Sequence, residues 1–207
     1  MLWLIKKELT ANVRYMLVGF GIFLAYLFIF ADNGAGLFML CLTICVYSIL
    51  ATNMSLDERY QIDRLLTVLP IRRRDVVLSK YLLVFVLFAL CLAVYVVLSL
   101  ASAAVGYGRI PPITFPAAML GLFAVNLYSG VTLPLCYKFG AQATRYVGLA
   151  LFLAAFALSP LIPRIAGTAA ISSLTDGALG LLLLIGALVM HGVSFALSNA
   201  LYAAKDL

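Results

Sequence analysis

The sequence predicts an all-α membrane protein with six transmembrane helices, and three observations predict it. Hydrophobic residues make up 65% of the 207-residue chain and charged residues 11%, against about 45–50% and 25% in soluble proteins. Every Asp, Glu, Lys and Arg falls between apolar runs or at the chain ends. Each run so fenced, at roughly 17–25 residues, is long enough to cross about 30 Å of hydrocarbon as a helix.

The predicted spans are Tyr15–Ala31, Ala35–Met54, Tyr81–Val105, Ile113–Cys136, Tyr146–Ile162 and Ala178–Leu201. The runs are continuously apolar, without the alternation of a barrel strand, so helices are expected. Asp32-Asn33-Gly34 reads as a tight turn, and Gly106–Pro112 as a loop of residues that resist helix. The third connection, Arg164–Asp176, is small and polar. Pro160 and Pro163 are expected to end or kink the fifth span, because each removes a backbone donor. The longest polar segment, Ser55–Ser79, is too short for a soluble domain, so residues 1–207 form a single transmembrane domain.

Charge predicts the orientation. With a cytoplasmic N-terminus, the inner segments carry Lys6, Lys7, Arg14, Arg59, Arg64, Arg72, Arg73, Arg74, Lys80, Lys138, Arg145 and Lys205. The outer segments carry only Arg109 and Arg164. This positive-inside bias predicts that both termini face the cytoplasm. Residues 1–14 mix Trp3, Leu4 and Ile5 with Lys6, Lys7 and Glu8, and a span follows without a small-residue cleavage site, so no cleavable signal is expected.

Several chemistries are disfavoured. The net charge of +6 is accounted for by basic loops beside spans, so no nucleic-acid partner is expected. Cys41, Cys45, Cys91 and Cys136 show no CxxC spacing. Cys41 and Cys45 share a helix face but lack further ligands nearby, and are expected to pack as small apolar residues; no metal site is predicted. No phosphate-binding G-x-x-x-x-G-K-[ST] loop is present, so ATP, if used, binds another chain. His191 lies in the sixth span without zinc-ligand neighbours and is expected to bond an adjacent helix. Spans without Asp, Glu, Lys or Arg disfavour an ion-coupled carrier or an intramembrane hydrolase, so no catalytic residue is assigned. Ser48, Ser129 and Ser194 are expected to bond backbone or pack between helices. Asn53, Asn126, Ser129 and Thr132 are the candidates for lining a translocation path. The alternative role for each is helix–helix adhesion. A bend is expected at Thr132–Pro134.

The segment after the second span carries the most information. Ser55-Leu56-Asp57-Glu58 has the form of a capping box, which predicts a short helix to about Leu69, stopped by Pro70. Leu56, Tyr60, Ile62, Leu65, Leu66 and Leu69 fall largely on one face, with Asp57, Arg59, Asp63 and Arg64 largely on the other. Such a helix either rests on anionic headgroups or docks a soluble partner, and its mixed charge leaves both open.

The run from Asp57-Glu58-Arg59-Tyr60 through Leu65-Leu66-Thr67-Val68-Leu69-Pro70-Ile71-Arg72-Arg73-Arg74 to Val77-Leu78-Ser79-Lys80-Tyr81 resembles the signature of bacterial ABC type-2 transporter permeases. Within that family it is most similar to the small permeases of phenol-soluble-modulin-type peptide exporters. The resemblance implies an N-terminal amphipathic elbow helix at residues 1–14 and a cytoplasmic coupling helix, within 55–79, seated on an ATPase. It implies ATPase-coupling roles for Asp57, Glu58, Arg59, Tyr60, Asp63, Arg64, Leu65, Leu66, Leu69, Pro70, Arg72 and Arg73. It also implies two copies of a cytoplasmic ABC ATPase holding ATP and Mg, and a second permease chain, identical or related, in a bacterial cytoplasmic membrane.

These readings converge on a permease subunit, not itself an enzyme, of an ATP-driven exporter. Uncharged walls suit an amphipathic or hydrophobic cargo such as a peptide, a lipid-like molecule or a drug. The alternative is a membrane-embedded lipid-modifying enzyme or scaffold with no ATPase. It would need a polar cluster at one membrane depth, and the sequence does not display one.

Overall fold

The computed structural model describes residues 13–29, 35–60, 73–104, 112–158 and 175–203. Apart from short flanking stretches these are helices: α1 (Val13–Ile29), α2 (Ala35–Arg59), α3 (Arg73–Ala104), α4 (Phe115–Leu158) and α5 (Asp176–Ala203). No strand occurs among the described residues. The expected elbow helix (all but its last two residues), the turn at Asp32, the Gly106–Pro111 connection, Pro160 and Pro163 lie outside them, as do residues 61–72.

Among the described residues, three segments are long and apolar enough to cross a membrane: Arg74–Ala104 (31 residues), Phe115–Gly140 (26 residues) and Asp176–Ala203 (28 residues). They correspond to the third, fourth and sixth predicted spans. The third begins earlier than expected. Val76, Val77 and Ser79, placed by sequence in a polar lead-in, are buried core residues, so burial extends the helix beyond its purely apolar stretch.

Two local expectations are corrected. The capping box at Ser55 does not form. An N-cap needs non-helical backbone, but α2 continues unbroken through Ser55 to Arg59. The Ser55 hydroxyl donates to the Ala51 carbonyl at 2.8 Å, and the Tyr60 amide donates to the Leu56 carbonyl at 2.9 Å. Tertiary contacts of the next residues, described below, hold the turn helical. The second correction concerns the bend at Thr132–Pro134. The backbone stays helical at Pro134 and departs from helical angles at Gly140 (φ 84°, ψ 171°).

Packing is led by α4, which runs most extensively against α5 and next against α2; α1 packs on α2. Two apolar clusters stack along the helices. One joins Phe23, Leu42, Val46, Leu87 and Val125 across α1 to α4, with Ala187 from α5. The other joins Met54, Val77, Tyr81, Leu133 and Tyr202 nearer the Gly140 end. Gly19 permits the close approach of α1 to α2: a Cβ there would stand 3.1 Å from Ile49 Cγ1. Leu181, Leu182, Ile185, Val189 and Val193 of α5 are exposed, as expected of a face turned to lipid.

Gly140 occupies backbone space that is essentially closed to side chains. A Cβ at this position would also meet Glu58 Oε1 at 3.1 Å. Gly140→Ala is expected to destabilise the protein by about 1–3 kcal/mol, read as a lowered midpoint of thermal unfolding in detergent; an unchanged midpoint would contradict this geometry.

Candidate functional site

Two groups of polar side chains join different helices: a hydroxyl and imidazole belt between α3, α4 and α5, and a charged cluster where α2, α3 and α4 meet.

The belt begins with Pro134. A helix pairs each amide with the carbonyl four residues earlier. Pro134 has no amide proton, so the Gly130 carbonyl loses its partner inside the spanning helix. Ser194 of α5 supplies one, donating to Gly130 O at 2.6 Å. Ser194 is also 2.6 Å from the Tyr81 hydroxyl, which lies 2.7 Å from Ser198 Oγ. Proton counting fixes the order. Ser194 spends its proton on the carbonyl and accepts from Tyr81, so Ser198 donates to Tyr81. Tyr81, Ser194 and Ser198 are all buried.

One turn along α5, His191 Nδ1 is 2.6 Å from Asn126 Oδ1. The Asn126 amide nitrogen donates to the Leu122 carbonyl at 2.9 Å. Asn126 therefore presents oxygen to the ring, and Nδ1 carries the proton. The imidazole stands edge-on to Tyr81, with centroids 4.8 Å apart, and lies 4.5 Å from the Phe85 ring. His191 thus bonds a neighbouring helix, as expected. A chain of hydroxyls that terminates on a carbonyl passes no proton onward. The belt is a polar cluster that the residue order did not display, and its bonds hold α3, α4 and α5 together.

Of the path candidates, Asn126, Ser129 and Thr132 are buried and bonded to α4's own backbone. Ser129 donates to the Val125 carbonyl at 2.8 Å and Thr132 to the Tyr128 carbonyl at 2.9 Å. Asn53 is also buried, but its Oδ1 has no hydrogen-bond partner among the described residues, and neither has the Tyr137 hydroxyl. Cys45 meets Cys91, with sulfurs 3.8 Å apart across α2 and α3, and both pack in the apolar core. The cross-helix neighbour of Cys45 lay beyond the reach of its spacing to Cys41.

In the charged cluster, Asp57 forms an ion pair with Lys80 of α3, while the next residue, Glu58, sets its carboxylate against Gly140. Arg59 and Tyr60 are exposed. Arg74 is exposed, with its guanidinium 5.8 Å from the Phe195 ring centroid. Lys138 is exposed and sits 5.2 Å from the Phe139 centroid. Of the other residues predicted to couple to an ATPase, Arg73 opens α3. Asp63, Arg64, Leu65, Leu66, Leu69, Pro70 and Arg72 lie outside the described residues. Sequence reasoning missed the partners Lys80 and Gly140, and it missed Tyr81 and Ser198. The unpaired carbonyl four residues before Pro134 was the one local signal available.

A family model described as ABC-2 family transporter protein matches residues 3–203. The chain belongs to the ABC-2 transporter family. It is a multi-pass membrane protein, and membership makes it a transport subunit, the permease of an ABC transporter, rather than an enzyme. Permeases of this family normally pair with an ABC ATPase. No curated protein and no solved structure matches the chain.

Ser194→Ala is expected to cost about 1–2 kcal/mol, since it strands the Gly130 carbonyl and the Tyr81 proton together. Pro134→Ala restores the missing amide, so the same serine substitution is expected to cost about 0.5–1 kcal/mol less in that background. A double-mutant cycle by denaturant unfolding in micelles measures the difference, and additivity would contradict the Pro134–Ser194 link.

Proposed function

We propose that the chain is the permease of an ATP-driven exporter that moves an amphipathic or hydrophobic cargo out of the cytoplasm or the inner leaflet. The family match across residues 3–203 carries this reading. Six spans, a pair of permease chains about a two-fold axis and two ATPase subunits complete the assembly. Both termini face the cytoplasm of a bacterial cell, and the segment Asp57–Leu69 docks the ATPase. Each ATPase subunit holds ATP and Mg. ATP closes the ATPase pair, the docked segment moves with it, and the spans rock between inward and outward openings.

The geometry supports this orientation. Contacts of Asp57 with Lys80 and of Glu58 with Gly140 bring Arg59, Arg74, Lys80 and Lys138 to one end of the helices. That basic end is the side expected to face the cytoplasm. The cargo class is supported by the side-chain inventory. Asn126, Ser129 and Thr132 of α4 are spent on backbone or on His191, which leaves mostly apolar surface to meet a molecule with its own apolar face. Asn53, with its uncommitted carbonyl, is the path residue best placed to meet a donor on the cargo. An apolar peptide of the phenol-soluble-modulin type fits this class.

Co-expression with the neighbouring reading frames, followed by affinity purification of this chain, tests the reading. A stoichiometric ATPase is expected in the eluate. Reversing both Arg59 and Arg64 to Glu is expected to release that ATPase by at least about tenfold, the scale of losing charged contacts at a docking surface, while the permease keeps its helical content and elution volume. Purification without any ATPase would favour the enzyme or scaffold alternative.

A further inference from the structure

We propose that Glu58 is a positioning residue for transport: it sets the angle of the helix beyond Gly140, while Asp57 ties the same turn of α2 to α3. The proposal deepens the permease reading, on which its link to ATP rests.

Successive residues on a helix point about 100° apart and do not share a face. The last turn of α2 uses this to hold two neighbours at once. Asp57 pairs with Lys80, and both side chains are largely shielded, at 18% and 12% exposed. Glu58 reaches α4, placing Oε1 3.1 Å from where a Gly140 Cβ would stand.

Gly140 is the point at which α4 departs from helical angles. One residue thus separates the membrane-length segment Phe115–Gly140 from residues 141–158. Glycine can change its angles with little steric resistance, so the angle between the two parts depends on contacts across the break. Two such contacts are present. Thr144 Oγ1 donates back to the Gly140 carbonyl at 2.7 Å, closing the first turn after the break. The Glu58 carboxylate lies beside that new helix start, where free amides and the helix dipole favour negative charge. Glu58 is itself exposed, so solvent weakens the attraction, which makes it a bias on the angle rather than a lock.

The consequence is mechanical. α2 ends at Arg59, where the chain enters the segment assigned to the ATPase. Displacement of that segment turns the last turn of α2. The turn then pulls α3 through Asp57 and re-aims residues 141–158 through Glu58. One input reaches two helices through adjacent carboxylates, Asp57 beside Lys80 and Glu58 beside Gly140.

Spin labels at Leu127 and Leu149 report the angle, since both positions are exposed and lie on opposite sides of Gly140. The measurement uses the full chain with its four cysteines replaced by alanine, reconstituted in lipid nanodiscs. Glu58→Gln keeps the size of the side chain and removes its charge. It is expected to make the pulsed electron-spin distance distribution about twofold broader than that of the unsubstituted chain, as for a hinge that has lost the contact setting its angle. Asp57→Asn, which acts on α3, is expected to leave that width unchanged. Superimposable distributions for Glu58→Gln and the unsubstituted chain would overturn the proposal. So would equal broadening by Asp57→Asn, or failure of Glu58→Gln to fold, because either would mark a general structural contact. In a complex with a co-purified ATPase, added ATP is expected to shift the Leu127–Leu149 distance in the unsubstituted chain and not in Glu58→Gln; a shift retained in Glu58→Gln would also overturn it. Absence of any co-purifying ATPase would count against the permease reading, whereas the ATP-free comparison still decides the role of Glu58.

Discussion

Inside hydrocarbon no water is available to bond a backbone carbonyl, and the arrangement of α3, α4 and α5 follows from that constraint at one atom. Pro134 deprives Gly130 of its helical partner. The carbonyl must be met from another helix, and Ser194 meets it. Ser194 then needs a donor, which brings in Tyr81, and Tyr81 accepts from Ser198. A single missing proton on α4 thereby fixes the rotation of α5 and the depth of α3. The His191–Asn126 bond, one turn away, agrees with the same register.

Tyr81 is where this polar chain meets the apolar packing. Its hydroxyl belongs to the belt, and its ring packs in the lower cluster with Met54, Val77 and Leu133. The ring also faces His191 and Phe195 edge-on. Dispersion packing supplies most helix adhesion in lipid, because apolar side chains gain little by leaving acyl chains for one another. Directional bonds then select which of many similar packings is occupied. The belt is therefore better read as a register device than as chemistry, consistent with membership of a transport family.

The charged cluster obeys the opposite rule. Its groups gather where α2 ends, with Asp57 and Lys80 largely shielded in an ion pair and Arg59, Arg74 and Lys138 exposed, and they are spread over three helices. That placement suits an input from outside the membrane. It joins α2, α3 and α4 where the chain leaves α2.

Much of this was legible from residue order. The spans could be read because exclusion of charge from hydrocarbon acts on each side chain separately and sums along the chain. Residues Arg74–Ala104, Phe115–Gly140 and Asp176–Ala203 stand close to where that rule puts them. The capping motif at Ser55 misled because a local pattern competes with tertiary contacts. Asp57 and Glu58 found partners on α3 and α4, and helical backbone prevailed.

Sequence alone determined that Arg74–Ala104, Phe115–Gly140 and Asp176–Ala203 are long and apolar enough for lipid, since that depends on the residues themselves. Only the tertiary structure decided which polar atoms meet. Ser194 and its carbonyl are 64 positions apart, and Tyr81 and Ser194 are 113 apart. Partnership at such separation is set by how helices rotate against one another, and no local spacing records that angle.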